Sequence, residues 1–231
     1  MAIIFITGAN KGLGHEAARR LIGLGHTVLL GARDAERGQQ AAAALGARFV
    51  QIDVTDDASV AAAASDVAAH EGRVDVLINN AGVHGPLGDP GSLTGADALG
   101  VLDTNVVGAV RTTSAFLPLL SKSQDPAIVN VSSGMGSLAF THDPDRVESK
   151  VAAPLYTASK AALTMLTTQY AKALPGIRVN AVDPGYTATD LNDNRGTQTV
   201  TEGTDAIVAV ATEGPGAGSG RFVDRTGDLG W

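Results

Sequence analysis

Ile3-Ile4-Phe5-Ile6-Thr7-Gly8-Ala9-Asn10-Lys11-Gly12-Leu13-Gly14 is the stretch whose reading decides the fold. Its first four residues are apolar without alternation, the pattern of a strand buried on both faces. Glycines follow at 8, 12 and 14, and a helix-like segment runs from His15 to Leu24. Strand, glycine-rich turn and helix in that order open a dinucleotide-binding unit. Glycine lets backbone approach phosphate closely, and a helix start offers unpaired N–H groups at the positive end of its dipole. The spacing Gly-x-x-x-Gly-x-Gly differs from the Gly-x-Gly-x-x-Gly fingerprint. It also lacks the Lys-Ser or Lys-Thr that would end a P-loop.

The same alternation continues outward from that unit. Strands are predicted at Thr27–Gly31, Arg48–Ile52, Val74–Ile78, Ala127–Val131, Ile177–Val182 and Arg221–Val223. Between them lie helical segments. Ala35–Leu45 is stopped by Gly46, and the next, capped by Asp56, runs to His70. Ala96–Leu120 should bend at Gly108 and Pro118, Arg146–Val151 is short, and Tyr156–Leu174 ends at Pro175-Gly176. A last helix, capped by Thr199 or Thr201, reaches Ala211. This order predicts an α/β fold: a Rossmann-type doubly wound parallel sheet of about seven strands with helices on both faces. With neither an internal boundary nor a repeat, residues 1–231 read as a single dinucleotide-binding and catalytic domain.

Bulk properties narrow the functions. The 231 residues are 44% hydrophobic and 18% charged, which describes a globular chain with a buried core. The net charge of −7 argues against a nucleic-acid surface. No apolar run is long enough to span a membrane. The absence of cysteine removes disulfides and thiolate chemistry and suits a reducing cytoplasm. The five histidines show no ligand spacing, so no metal site is expected.

Chemistry-bearing residues collect at the predicted strand ends, where open α/β sheets bind ligands. They are Asp53-Val54, Asn79-Asn80-Ala81-Gly82, Ser132-Ser133 and Asp183-Pro184-Gly185. The tip of the second strand selects the cofactor: an acid there would bond a ribose 2′-hydroxyl, a cation a 2′-phosphate. Here Ala32 is followed by Arg33, with Arg37 one turn on and Lys11 able to reach the same corner, a set that favours NADP. Asp34 falls where a helix N-cap belongs. Asn105 is polar among Val101, Val106 and Val107; it either packs or bends the helix and holds a water. Residues 84–95 form a loop at the mouth of the site, in which His84 either touches substrate or faces solvent. Tyr186–Gln198 reads as a mobile flap. Tyr156 and Lys160, four apart on a helix, place a phenol and an ammonium on one face. A free phenol has a pKa of about 10, and a nearby cation lowers it, so the pair can be a tuned proton donor.

The ordered set resembles the short-chain dehydrogenase/reductase family over essentially the whole chain. It comprises Thr7-Gly8-(three residues)-Gly12-Leu13-Gly14, Asn79-Asn80-Ala81-Gly82, Asn105, Ser133, Tyr156-x-x-x-Lys160 and Pro184-Gly185. Arg33-Asp-x-x-Arg37-Gly further resembles that family's NADPH-dependent carbonyl reductases. The resemblance implies catalysis by Tyr156 as general acid/base, Lys160 on the nicotinamide ribose, Ser133 on the substrate oxygen and Asn105 at a relay water. It implies cofactor contacts from Thr7, Gly8, Asn10, Lys11, Gly12, Leu13 and Gly14 on the pyrophosphate side, and from Arg33 and Arg37 at the 2′-phosphate. Asp53 and Val54 would meet the adenine and Asn80, Ala81 and Gly82 the ribose region. Tyr156, Lys160, Pro184, Gly185, Thr187 and Thr189 would lie at the nicotinamide end. The implied activity is hydride transfer between NADP(H) and a small carbonyl or secondary alcohol; a catalytically inactive NADP sensor is the alternative. Ser133 and Tyr156 stand 23 positions apart, more than is usual in the family, with the extra residues around Leu138–Val151. That insertion leaves both a monomer and a homo-oligomer open.

Overall fold

The computed structural model describes all 231 residues. Eight strands form one sheet: β1 Ile3–Ile6, β2 Thr27–Ala32, β3 Arg48–Gln51, β4 Val76–Asn79, β5 Ala127–Val131, β6 Arg178–Val182, β7 Phe222–Asp224 and β8 Gly227–Leu229. Their spatial order is β3-β2-β1-β4-β5-β6-β7-β8. All neighbours run parallel except β7 and β8, which pair antiparallel. β8 is the eighth strand that the sequence does not announce. It has three residues and no apolar run of its own, and it exists because the turn after Asp224 folds it back on Phe222.

The strands are apolar throughout because each feeds two cores. Ile4 and Ile6 point to one face, with Leu30, Ile78 and Val129, and meet α1 (Gly12–Gly23), α2 (Ala35–Leu45) and Ile207 of a late helix. Phe5 points to the other face, with Leu29, Leu77, Ile128 and Val179, and meets α3 (Asp57–His70) and Phe116. Phe5 and Phe116 pack with ring centroids 4.5 Å apart. Side chains alternate across a strand, so a strand between two helical layers has no polar face to offer.

The long predicted helix is in fact three pieces: α4 Gly95–Leu102, a π-helical turn at Asp103–Val107, and α5 Gly108–Leu120. The irregularity falls on Asn105 rather than on Pro118, which sits within the last turn of α5. Gly108 is required where α5 crosses Val54: a Cβ there would lie 2.9 Å from Val54 Cγ2. The insertion holds a short helix, α6 Leu138–His142, and a 3₁₀ turn at Val147–Lys150 in place of the expected helix over 146–151. α7 spans Pro154–Ala173 and starts before Tyr156, with proline at its first position. The last helix is two, α8 Val200–Gly203 and α9 Asp205–Ala211. Thr199 caps the first through a capping box with Glu202.

Candidate active site

The chain runs outward through β1, β2 and β3, then crosses back to lay β4 against the other side of β1. The crevice between β1 and β4 is therefore the switch point at which such sheets bind ligands. Thr7, fully buried, ties the two strand ends together. Its Oγ1 accepts the N–H groups of Asn80 and Ala81, each at 3.0 Å. The Asn80 amide donates to the carbonyls of Thr7 at 2.9 Å and Gly8 at 3.1 Å. Gly8 has φ 63°, and a Cβ on it would press to 2.9 Å from Ala81 Cα. One on Gly14 would lie 2.5 Å from Asn80 Nδ2. The inner side of the turn is thus closed to any side chain. Its outer side is not: the nearest atom to a Cβ on Gly12 is Thr189 Cγ2, at 3.9 Å. No side chain caps α1 at Lys11, so the first N–H groups of the helix face that open side unclaimed. Backbone of this shape and polarity fits a pyrophosphate.

The three cations of the neighbouring corner behave differently. Arg33 is exposed and its guanidinium makes no hydrogen bond or ion pair within the protein. Arg37 bonds back to Asp34, the N-cap of α2. Lys11 turns the other way and pairs with Asp190 at 3.0 Å. The expected cluster is therefore one free guanidinium, one arginine occupied by its own cap, and one lysine reaching across to the segment after Gly185. Asp53 accepts from the N–H and hydroxyl of Thr55 at 3.0 and 2.7 Å, both on Oδ1. The Thr55 backbone bond holds its carboxyl below the usual range, against a partial burial that raises it. Val54 is buried beside Gly108.

At the other end of the crevice α7 delivers Tyr156 and Lys160. Lys160 is 5% exposed and donates to the Val131 carbonyl at the end of β5 at 2.7 Å. Its Nζ lies 5.6 Å from the centre of the Tyr156 ring, within cation–π range. Burial pushes the Lys160 ammonium down to about 8, with Asp183 opposing. Tyr156 keeps some ring surface, but its hydroxyl end is enclosed. That burial pushes the phenol up to about 12; a bond with Ser133 opposes the shift and the charge of Asp183 adds to it. The sequence predicts the reverse, a phenol lowered by its lysine. Burial of the phenol, rather than the charge of Lys160, is the largest influence on it here.

The two serines separate cleanly. Ser132 is buried and bonds to Thr164 at 2.8 Å and to the Lys160 carbonyl at 3.3 Å. Ser133 is partly exposed, accepts the Met135 N–H at 3.2 Å, and faces the phenol. Asn105 grips the Val83 peptide from both sides, accepting its N–H and donating to its carbonyl, each at 2.8 Å; it also donates to Ser159 on α7 at 2.9 Å. Asn105 thus sits in the π turn with its amide turned out to the neighbouring segments. Gly82 lies in the same gap, where a Cβ would be 3.4 Å from Asn105 Oδ1. Thr187 is buried, its hydroxyl donating to the Pro184 carbonyl at 3.0 Å, and Thr189 begins the turn that carries Asp190. Residues 186–198 are cross-bonded, with Thr187 bridged to Gln198 and Asn192 donating to the Thr187 carbonyl at 2.9 Å. The segment read as a flap is thus bonded within itself, and its tie to the glycine turn is the Lys11–Asp190 pair.

Two features escape a reading of the sequence. His84 is half-buried and lies flat on Tyr156, ring centroids 4.6 Å apart and planes 7° from parallel. Glu148, from the insertion, is buried beside Asp183: a Cβ on Gly134 would lie 2.5 Å from the carboxylate of the first and 2.8 Å from that of the second. Burial raises the Asp183 carboxyl, N–H groups of Gly185 and Gly134 lower it, and Glu148 adds repulsion. Arg146 grips Glu148 through two bonds of 3.1 and 2.9 Å and stacks 3.6 Å over Phe140. Neither feature has a periodic or motif signature.

Comparison with known proteins shows the family. The family model for short chain dehydrogenases matches residues 2–199, and the chain belongs to that family of oxidoreductases. Among its relatives, a short-chain dehydrogenase, anuI, of Penicillium roqueforti is 35% identical across 99% of this chain and 97% of its own. The (+)-neomenthol dehydrogenase of Capsicum annuum is 32% identical across 95% and 94%. Among solved structures, an NADPH-bound carbonyl reductase from chicken fatty liver superimposes with a TM-score of 0.89 at 28% identity, covering 100% of this chain and 99% of that one. No helix is long and apolar enough to cross a membrane.

Proposed function

We propose that residues 1–231 form one catalytic domain that reduces a small ketone or aldehyde with NADPH, or oxidises the secondary alcohol in reverse. The observation that carries the reading is the convergence of Tyr156, Ser133 and Lys160 at one end of a crevice whose other end is a phosphate-shaped turn flanked by an unpaired arginine. A reducing cytoplasm, which the lack of cysteine permits, would suit it.

The backbone of Gly8–Gly14, with Thr7 and Asn10 beside it, would hold the pyrophosphate; Arg33 would meet the 2′-phosphate; Asp53 and Val54 would flank the adenine. Asn80, Ala81 and Gly82 would border the ribose, and Pro184, Gly185, Thr187 and Thr189 the nicotinamide. Hydride for the carbonyl carbon would come from NADPH held by these residues. Ser133 then holds the developing oxyanion by a hydrogen bond, and Tyr156 gives it a proton. The phenol is protonated at neutral pH and so has a proton to give. Lys160, still largely cationic at pH 7, steadies the phenolate left behind. Asn105 keeps the Val83 peptide and α7 in register around them.

A screen of aldehydes and ketones for NADPH consumption, run beside NADH, tests the reading. NADPH-dependent reduction of at least one carbonyl class is expected. Arg33→Ala should weaken NADPH by about tenfold or more and leave NADH nearly unchanged, since a charge-assisted contact is worth roughly 1.5–3 kcal/mol. Equal loss for both would remove the assignment to NADP.

A further inference from the structure

His84 is the strongest unassigned feature near the site. Its imidazole is stacked on Tyr156 at 4.6 Å and 7°, and several devices hold it there. Asn105 fixes the preceding peptide of Val83 on both sides. The following residue must be glycine: Gly85 has φ 74°, and a Cβ on it would lie 2.4 Å from Val101 Cγ2. The ring is half-buried, and no side chain of the protein bonds to its nitrogens. What the fold uses is the flat face of the ring.

We propose that His84 is a positioning residue for Tyr156, covering one face of the phenol so that its hydroxyl stays turned toward Ser133 and shielded from water. The inference rests on the reading of Tyr156 as proton donor. It narrows the substrate side as well: with one face of the phenol taken by His84, the carbonyl must approach from the Ser133 side.

Two substitutions separate the ring face from the nitrogens. His84→Ala removes the stack; His84→Phe keeps a flat ring and drops both nitrogens. Misplacement of a reacting group costs up to about a hundredfold in rate. His84→Ala should lower kcat by about tenfold or more with the NADPH Kd unchanged, and His84→Phe should restore most of it. A second readout needs no turnover. Tyr170→Phe and Tyr186→Phe leave Tyr156 as the sole tyrosine of the three. In that background, tyrosinate absorbance at pH 10 reports the phenol alone, with far-UV circular dichroism matching that at pH 8. The ionised fraction should rise in His84→Ala and stay near that of the wild-type ring in His84→Phe. An unchanged ionised fraction, or wild-type kcat in His84→Ala, overturns the proposal. A wild-type protein that reduces no carbonyl but shows the tyrosinate shift would refute reduction while leaving the shielding by His84 supported.

Discussion

The floor of the crevice and the segments that cover it are held in opposite ways. On the floor, Thr7, Asn80, Asn105 and Lys160 are tied by short bonds to backbone and Ser132 to Thr164, and four of the five are buried. The segment after Gly185 meets the glycine turn through Lys11 and Asp190, whose side chains are 60% and 64% exposed. The insertion sits between these extremes, with a buried Glu148 clamped by a third-exposed Arg146. The chemistry demands a fixed floor, because a proton donor must be placed to within a fraction of an ångström, whereas the cover must admit and release ligands.

Substitution along this gradient should give effects that shrink from floor to cover. Lys160→Met comes first. Turnover should fall by about 10²–10⁴-fold, yet the protein should become more stable at pH 7, by about 1–3 kcal/mol, because a buried cation is replaced by an isosteric apolar chain. The pH dependence gives the sign. Burial holds the folded-state value at about 8, below the ordinary 10.5. The cost of the cation therefore counts in full below pH 8, shrinks as folded Lys160 loses its proton, and vanishes above the unfolded value. The advantage of Lys160→Met in thermal unfolding should be largest near pH 7 and decline toward pH 10. A constant advantage would remove burial of charge as its cause.

Arg146→Ala should have the next largest effect on stability, about 1–3 kcal/mol in urea unfolding, because it strands Glu148 beside Asp183 without its cation. Glu148→Gln should cost less than Arg146→Ala, since it removes the repulsion on Asp183 along with the pair. The reverse order would mean that Glu148 is held by contacts other than Arg146, and that leaving it beside Asp183 without its cation is not what costs stability. Smallest of all, Lys11→Ala should change stability by no more than about 0.5 kcal/mol, as exposed ion pairs do. A loss of several times that would make the covering segment part of the rigid floor.

The same gradient explains what was legible in the sequence. Ile3–Ile6 and Ala127–Val131 were readable to the residue, because a strand buried on both faces has a signature within five positions. Tyr156 and Lys160 were readable because four residues make one helical turn. The stack of His84 on Tyr156 was not, since nothing local links two residues so far apart in the chain. The raised phenol was missed for a related reason: pattern shows that a lysine is near a tyrosine, not how far the fold buries the phenol. β8 and the π turn at Asn105 depend on partners elsewhere in the fold, and residues 138–151 have no apolar period from which to start.

The central claim is that Tyr156 gives the proton, and Tyr156→Phe tests it most directly. The phenylalanine keeps the ring against His84 and removes only the hydroxyl. NADPH should bind the variant within about twofold of wild type, while carbonyl reduction followed by NADPH consumption falls by at least about a hundredfold. Turnover within a few fold of wild type, with NADPH bound, would contradict the account.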